Sequence, residues 1–284
     1  MKKSLSIGNF VLSDVYQNGK LVGENLPGGI NYRYLLMQAY AGVACDYVAY
    51  LGNDEKFKQL IQKFSEKDCN LLTDRLASAE NLIKFKWFYQ NDRLEQLEFI
   101  NQNKVDLLVD LVNEKLVKKY QHINICALGF NNEKRIFSLI RPAQTISYIF
   151  HISNLKQASA EDYLNFLPKL DYVFMNEQEA LKLTDSKNIS SAFNVFSHWS
   201  NNIFVTQGKL GVSYVTKGQV FQNSTIKVPV LNAAGAGDTF AGAVMAAIIS
   251  GNNIGFAVKY GLLLASISTT GFLTEPLDQW LLIK

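Results

Sequence analysis

Short apolar runs alternate with amphipathic stretches along most of this chain. Ser4–Val11, Asp46–Leu51, Ile123–Leu128, Ile146–His151, Asp171–Met175 and Ile203–Thr206 have strand length and strand composition. The intervals between them are long enough for helices. Asn31–Ala41, opened by Gly28-Gly29, and Asp54–Glu66 are two of these, and the last third, Gly237–Ser250 and Ile254–Thr270, is mostly helical. Strands that alternate with helices predict an α/β fold, a parallel sheet covered on both faces.

Two places break the alternation. Leu82–Tyr89 and Leu94–Ile100 flank the turn-like Gln90-Asn91-Asp92-Arg93 and predict a hairpin. Gly211–Thr216 and Gln219–Gln222 flank Lys217-Gly218 and predict another, followed by a strand over Thr225–Leu231. The first hairpin has no neighbouring helix to cover it, which suits a lid projecting from the main sheet. No internal repeat or Pro/Gly/Ser-rich linker divides the chain. One domain over residues 1–284 is expected, with lid strands within 12–26 and 82–100.

Composition narrows the class. With 48% apolar residues and only 5 prolines, the chain can bury enough apolar surface to fold, which excludes a disordered or collagen-like protein. The net charge of +3 is spread without a basic stripe, so nucleic-acid binding is not expected. Cys45, Cys69 and Cys126 lie far apart and form no CxxC pair, which fits a reducing compartment. His122, His151 and His198 have no metal-ligand spacing. Met1-Lys2-Lys3 has the charge of a signal-peptide start, but Gly8-Asn9 and Ser13-Asp14 break the apolar run behind it. No stretch approaches the roughly 20 apolar residues of a membrane span. The expectation is a cytoplasmic protein without a membrane partner.

The most informative segment is Asn232-Ala233-Ala234-Gly235-Ala236-Gly237-Asp238-Thr239-Phe240-Ala241-Gly242. Small residues at a helix start let backbone N–H groups approach a ligand, and with the helix dipole they form an anion site. An aspartate beside bound phosphate suits a general base that deprotonates a hydroxyl attacking a γ-phosphoryl group. The same aspartate could instead merely complement the dipole. The Rossmann pattern fails because Phe240 stands where its third glycine belongs. A Walker A loop fails because Leu210 follows Gly208-Lys209.

Companion motifs sit at other strand-to-helix junctions. In Pro27-Gly28-Gly29-Ile30-Asn31 an Asn amide can hold sugar hydroxyls, or else cap the helix. Leu51-Gly52-Asn53-Asp54 ends a strand and caps a helix. Asn176 and Glu179 have capping-box spacing, and Glu179 could also lie near Mg²⁺-bound phosphates through water. Thr206-Gln207-Gly208-Lys209-Leu210-Gly211 is an ordinary turn or a place where backbone approaches a nucleotide.

Taken in order, these motifs resemble the PfkB (ribokinase-like) carbohydrate kinase family. Ala234-Gly235-Ala236-Gly237-Asp238-Thr239-Phe240 resembles its C-terminal signature, and Gly28-Gly29-x-Asn31, Gly52-x-Asp54, Asn176-x-x-Glu179 and Thr206-x-Gly208-x-x-Gly211 resemble its weaker motifs. The resemblance implies a three-layer α/β/α domain with a β-strand lid, and an ATP- and Mg²⁺-dependent kinase acting on a sugar-like hydroxyl. It makes Asp238 the base and the backbone of Gly235, Ala236 and Gly237 the anion hole. Asp14, Gly29, Asn31 and Arg93 would contact substrate. Asn176, Glu179, Thr206, Gly208, Gly211 and Gly237 would serve the nucleotide, with Glu179 on the metal side through water.

Lid strands would close over the sugar and build a homodimer. The lid segment ending Asn91-Asp92-Arg93 is most similar to fructoselysine 6-kinase-like members. A nucleoside kinase, with Tyr16, Tyr32 or Tyr34 packing on a base, and a catalytically weak regulatory paralogue are the alternatives. The chain departs from the family pattern at Asn232-Ala233, Phe57, Tyr260 and His151, where members carry Asp-Thr, Gly, Asn and Asp. None of these removes the base or the anion hole.

Overall fold

The computed structural model describes residues 3–49, 55–72, 84–90, 93–100, 108–156, 158–199, 201–271 and 277. Its strands are β1 (Ser4–Ile7), β2 (Val11–Gln17), β3 (Lys20–Gly28), β4 (Cys45–Val48), β5 (Cys69–Leu71), β6 (Lys84–Gln90) and β7 (Arg93–Ile100). They continue with β8 (His122–Cys126), β9 (Thr145–Ile149), β10 (Tyr172–Asn176), β11 (Asn202–Thr206), β12 (Val212–Thr216) and β13 (Gln219–Asn223). The helices are α1 (Ile30–Tyr40), α2 (Glu55–Ser65), α3 (Glu114–Val117), α4 (Phe130–Phe137), α5 (Ala160–Phe166), α6 (Glu177–Leu183), α7 (Ile189–Phe196), α8 (Ala236–Ile249) and α9 (Ile254–Ser268).

Among the described residues, nine strands form the main sheet in the order β13-β12-β11-β10-β9-β8-β1-β4-β5. The run from β11 to β5 is parallel, and β12 and β13 close one edge as an antiparallel hairpin. Because side chains alternate across a strand, each strand feeds both faces. On β10, Val173 and Met175 join a core with Phe130, Tyr163 and Phe196 on one face, while Phe174 joins Leu35, Phe64, Val244 and Val258 on the other. The outcome is the expected three-layer α/β/α arrangement. Among the described residues, no helix is long and apolar enough to cross a membrane.

A second, four-stranded sheet, β3-β2-β6-β7, stands apart as the small lid that the unmatched hairpin implied. The run Ser4–Val11, expected as one strand, is therefore divided between two sheets. The chain leaves β1 at Gly8, where an added Cβ would lie 2.7 Å from the Cys126 Cβ, and Val11 begins β2 in the lid. Thr225–Leu231, also expected as a strand, pairs with no strand among the described residues. Pro229 lacks the N–H that a ladder requires. The segment is held instead at its ends, by Thr225 Oγ1 against Ser266 Oγ at 3.0 Å and by the Leu231 N–H donating to the Thr269 carbonyl at 2.8 Å.

A buried polar chain ties α1 to the centre of the sheet. Ser147 Oγ donates to Asn124 Oδ1 (2.9 Å), Asn124 Nδ2 to Ser6 Oγ (2.9 Å), and Ser6 Oγ to Asn31 Oδ1 (2.6 Å). Asn31 Nδ2 completes it by donating to the Gly8 carbonyl at 2.7 Å. Each group is satisfied, so the network costs little in burial and fixes where α1 begins.

Candidate active site

Helix α8 starts at the carboxyl end of the parallel strands, where open α/β sheets form their ligand crevices. The turn before it is shaped by its own backbone. Asn232 Oδ1 accepts the Ala234 N–H at 2.7 Å, and the Ala236 N–H donates to the Ala233 carbonyl at 3.2 Å. Gly235, the residue preceding the helix, has φ +76° and provides no side-chain cap. The first-turn N–H groups of Gly237 and Asp238 therefore have no intrahelical acceptor and are free to serve an anion. Ala236, expected in the anion hole, uses its N–H within the turn.

A buried cation borders this turn. Arg33, from the first turns of α1, is 4% exposed, and its Nη1 donates to the Ala234 carbonyl at 2.5 Å. The guanidinium lies directly against Gly235. Arg33 stands outside the motifs expected to carry chemistry. The available signal was a lone cation between Tyr32 and the run Tyr34-Leu35-Leu36-Met37.

Asp238 is half-buried in the first turn of α8. Desolvation raises its carboxyl above the ordinary range, and the charges of Arg33 and then His151 pull it back. Both Asp238 and Glu179 thus sit in one field, since Asp238 also raises Glu179, though burial does so more. Glu179 is 4% exposed. It forms the capping box with Asn176, accepting the Asn176 N–H at 2.8 Å while its own N–H donates to Asn176 Oδ1 at 2.9 Å. Its second oxygen accepts the Ile152 N–H at 3.1 Å, which joins α6 to the segment following β9.

Other expected residues are brought to the same edge. Thr206 ends β11 and its Oγ1 would be 3.6 Å from a Cβ on Gly237. Gly208 has φ +55° with nothing within 4 Å of an added Cβ, so its face is open, as a nucleotide approach needs. Gly211 is demanded by the hairpin itself, because a Cβ there would lie 2.0 Å from the Asn223 carbonyl. Gly29 precedes α1 with φ +96°, facing the Asn9 carbonyl.

The expected substrate contacts fare differently. Asn31 is fully buried, and both ends of its amide are engaged by Ser6 and Gly8. It neither faces a crevice nor caps α1, whose N-cap is Gly29 without a side-chain bond. Asp14, on β2, accepts the Asn25 N–H at 2.9 Å and pairs with Lys84 Nζ at 2.8 Å, a contact that staples three lid strands. Arg93 opens β7. The motif Leu51-Gly52-Asn53-Asp54 and the turn residues Asn91 and Asp92 lie outside the described residues.

The departures have local explanations. Phe57 is buried in an aromatic cluster with Phe10 and Phe64, and Tyr260 stacks on Phe256. Tyr32 and Tyr34 are core residues and are unavailable to stack on a base, while Tyr16 stacks on Phe88 within the lid. His151 is exposed and its Nδ1 accepts the Ser153 N–H at 3.2 Å.

Phosphate fits these residues: a helix start without a cap, an open face at Gly237, and a buried cation behind it. Among the described residues, no group of three or more His, Cys, Asp or Glu side chains could hold a metal ion by itself. Comparison with known proteins agrees with the phosphate fit. The model of the pfkB family of carbohydrate kinases matches residues 31–279. A 5-dehydro-2-deoxygluconokinase of Bacillus subtilis is 35% identical over 85 residues, 30% of this chain and 26% of that protein. The chain thus matches only about a quarter of that relative's length. Among solved structures, an Escherichia coli ribokinase II in complex with ATP and Mg²⁺ superposes with TM-score 0.83 at 18% identity, over 99% of both chains. Adenosine kinase from Sinorhizobium meliloti gives 0.81 at 15% identity, over 96% of this chain and 95% of that one. At these identities, the structural likeness shows the fold alone.

Proposed function

The chain belongs to the pfkB family of carbohydrate kinases, and on that premise we propose that it transfers the γ-phosphoryl group of ATP to a hydroxyl of a sugar or sugar derivative. The observation that carries the reading is the half-buried Asp238 in the first turn of α8, beside an uncapped Gly-Ala-Gly turn. Mg·ATP, when bound, supplies the phosphoryl group and the metal's charge. Asp238 accepts the proton of the acceptor hydroxyl, and its local field is suited to that. Burial raises the basicity of the carboxylate, and the charges of Arg33 and then His151 oppose that rise. The N–H groups of Gly235 and Gly237 receive negative charge on the phosphoryl oxygens. Thr206, Gly208 and Gly211 line the nucleotide side, and Glu179 reaches the metal side through water. The lid sheet, with Arg93 at the turn of its β6–β7 hairpin, excludes water from the acceptor and joins two copies as a homodimer. With ATP as donor, the reaction belongs in the cytoplasm.

The test is release of ADP from Mg·ATP across hexoses, pentoses, sugar phosphates, fructosamines and nucleosides. Fructosamines are included on the lid resemblance, nucleosides on the fold shared with adenosine kinase. Turnover with one class identifies the acceptor; binding without turnover throughout the panel would replace the kinase with a regulatory binding protein.

A further inference from the structure

Burying a guanidinium is costly unless its charge is used, and Arg33 is 4% exposed on a helix whose neighbouring positions are apolar. Its position is not adjustable. Asn31 and the polar chain through Ser6, Asn124 and Ser147 pin the start of α1 to the sheet. From there, Arg33 Nη1 donates to the Ala234 carbonyl at 2.5 Å. A trans peptide points its C=O and the next N–H in opposite directions. The Gly235 N–H is therefore aimed away from Arg33. A cation on the carbonyl end also polarises the peptide and strengthens the N–H at its other end as a donor.

We propose that Arg33 is a positioning residue for phosphoryl transfer, orienting and polarising the Ala234–Gly235 peptide and holding a permanent positive charge behind the turn that receives phosphate. The inference rests on the proposed kinase reading of that turn. It explains why a glycine is needed at position 235, since any side chain there would occupy the guanidinium's place. It also assigns the charge balance of the site. The charges that lower Asp238 are Arg33 from α1 and then His151 after β9, while Asp238 in turn raises Glu179 on α6 and Cys126 at the end of β8. Arg33 contributes the largest opposing charge, and removing it leaves the smaller effect of His151 against the desolvation of Asp238.

The experiment uses Arg33→Met and Arg33→Lys in the full chain, with Mg·ATP and adenosine binding measured by calorimetry and turnover measured against pH. Arg33→Met is expected to weaken Mg·ATP about tenfold or more while adenosine binds unchanged, and to move the acid limb of turnover to higher pH. Arg33→Lys keeps the charge but loses the planar fork, so it should restore the acid limb and recover only part of the affinity. Parental Mg·ATP affinity and an unmoved acid limb in a folded Arg33→Met would overturn the proposal, as would a gain in turnover. If Arg33→Met does not fold, parental affinity and turnover in Arg33→Lys overturn the orienting role. Failure of the base reading is distinguishable. Asp238→Asn with undiminished turnover would remove Asp238 as the base and leave the nucleotide-affinity result standing.

Discussion

The guanidinium of Arg33 occupies the place of a side chain on Gly235: a Cβ added there would lie 0.9 Å from Nη1. Gly237, two residues on, is different. A Cβ at that position would meet only Thr206 Oγ1, at an ordinary 3.6 Å. The fold leaves no room for a side chain at Gly235 and leaves room for one at Gly237.

Substituting each with alanine separates the two positions. Gly235→Ala, strained by φ +76° and by Arg33, should lower the melting temperature markedly. Gly237→Ala sits without strain in the helix and should melt within a few degrees of the parent, yet lose about 10²–10³-fold in turnover. Parental turnover in Gly237→Ala would remove the phosphate-cradle reading.

Asp238→Asn preserves shape and removes the proton acceptor. Turnover should fall by about 10²–10⁴-fold, with affinity for an ATP analogue nearly unchanged. The comparison is of initial rate and analogue binding in parent and variant. A parallel loss of both would make Asp238 a binding residue rather than the base.

Glu179 gives a stability signature. Burial, aided by Asp238, raises its carboxyl to about 7 despite the amide hydrogen bonds from Asn176 and Ile152 that lower it. A carboxyl raised on folding favours the protonated native state, so its contribution is complete below about 4.5 and is lost as pH rises through about 7. The parent should therefore lose more stability than Glu179→Gln between pH 5 and pH 8, by up to about 3 kcal/mol. Denaturant titrations at the two pH values decide it; equal losses would show that Glu179 is already ionised in the native state.

Asn232 stands where family resemblance implies an aspartate that helps bind a monovalent cation. Its Oδ1 is engaged by the Ala234 N–H at 2.7 Å, and it has no full charge to draw K⁺ from its hydration shell. Turnover should be similar in K⁺, Na⁺ and a bulky organic cation at equal ionic strength, matched so that screening is constant. A several-fold, saturable rise with K⁺ alone would show a working cation site.

Asn31→Ala tests its place in the core. The variant strands the Ser6 hydroxyl and the Gly8 carbonyl, each bonded to Asn31 in the parent, and should cost about 1–3 kcal/mol per group left unsatisfied. The acceptor KM should hold in whatever fraction remains folded. A large rise in KM without loss of stability would return Asn31 to the substrate.

The layered architecture was legible in the chain because strands and helices declare themselves through local periodicity. The alternating runs, both hairpins and the helix start at Gly235–Asp238 needed only neighbours in sequence. The base candidate was legible for the same reason, since an aspartate one turn into a small-residue helix is a local pattern. Roles that depend on which distant group arrives were not. Asn31 reads alike as a sugar contact or a cap, and only the meeting of α1 with β1 turns its amide inward to Ser6 and Gly8. Nor does the sequence show that Ser4–Val11 divides between two sheets, because that break follows from the close passage of Gly8 over Cys126. Arg33 and the Ala234 carbonyl, 201 positions apart, meet only when α1 and α8 pack on the same face of the sheet. Hydrophobic patterning chose the elements. Long-range contact decided which polar groups were consumed by the fold and which were left for chemistry.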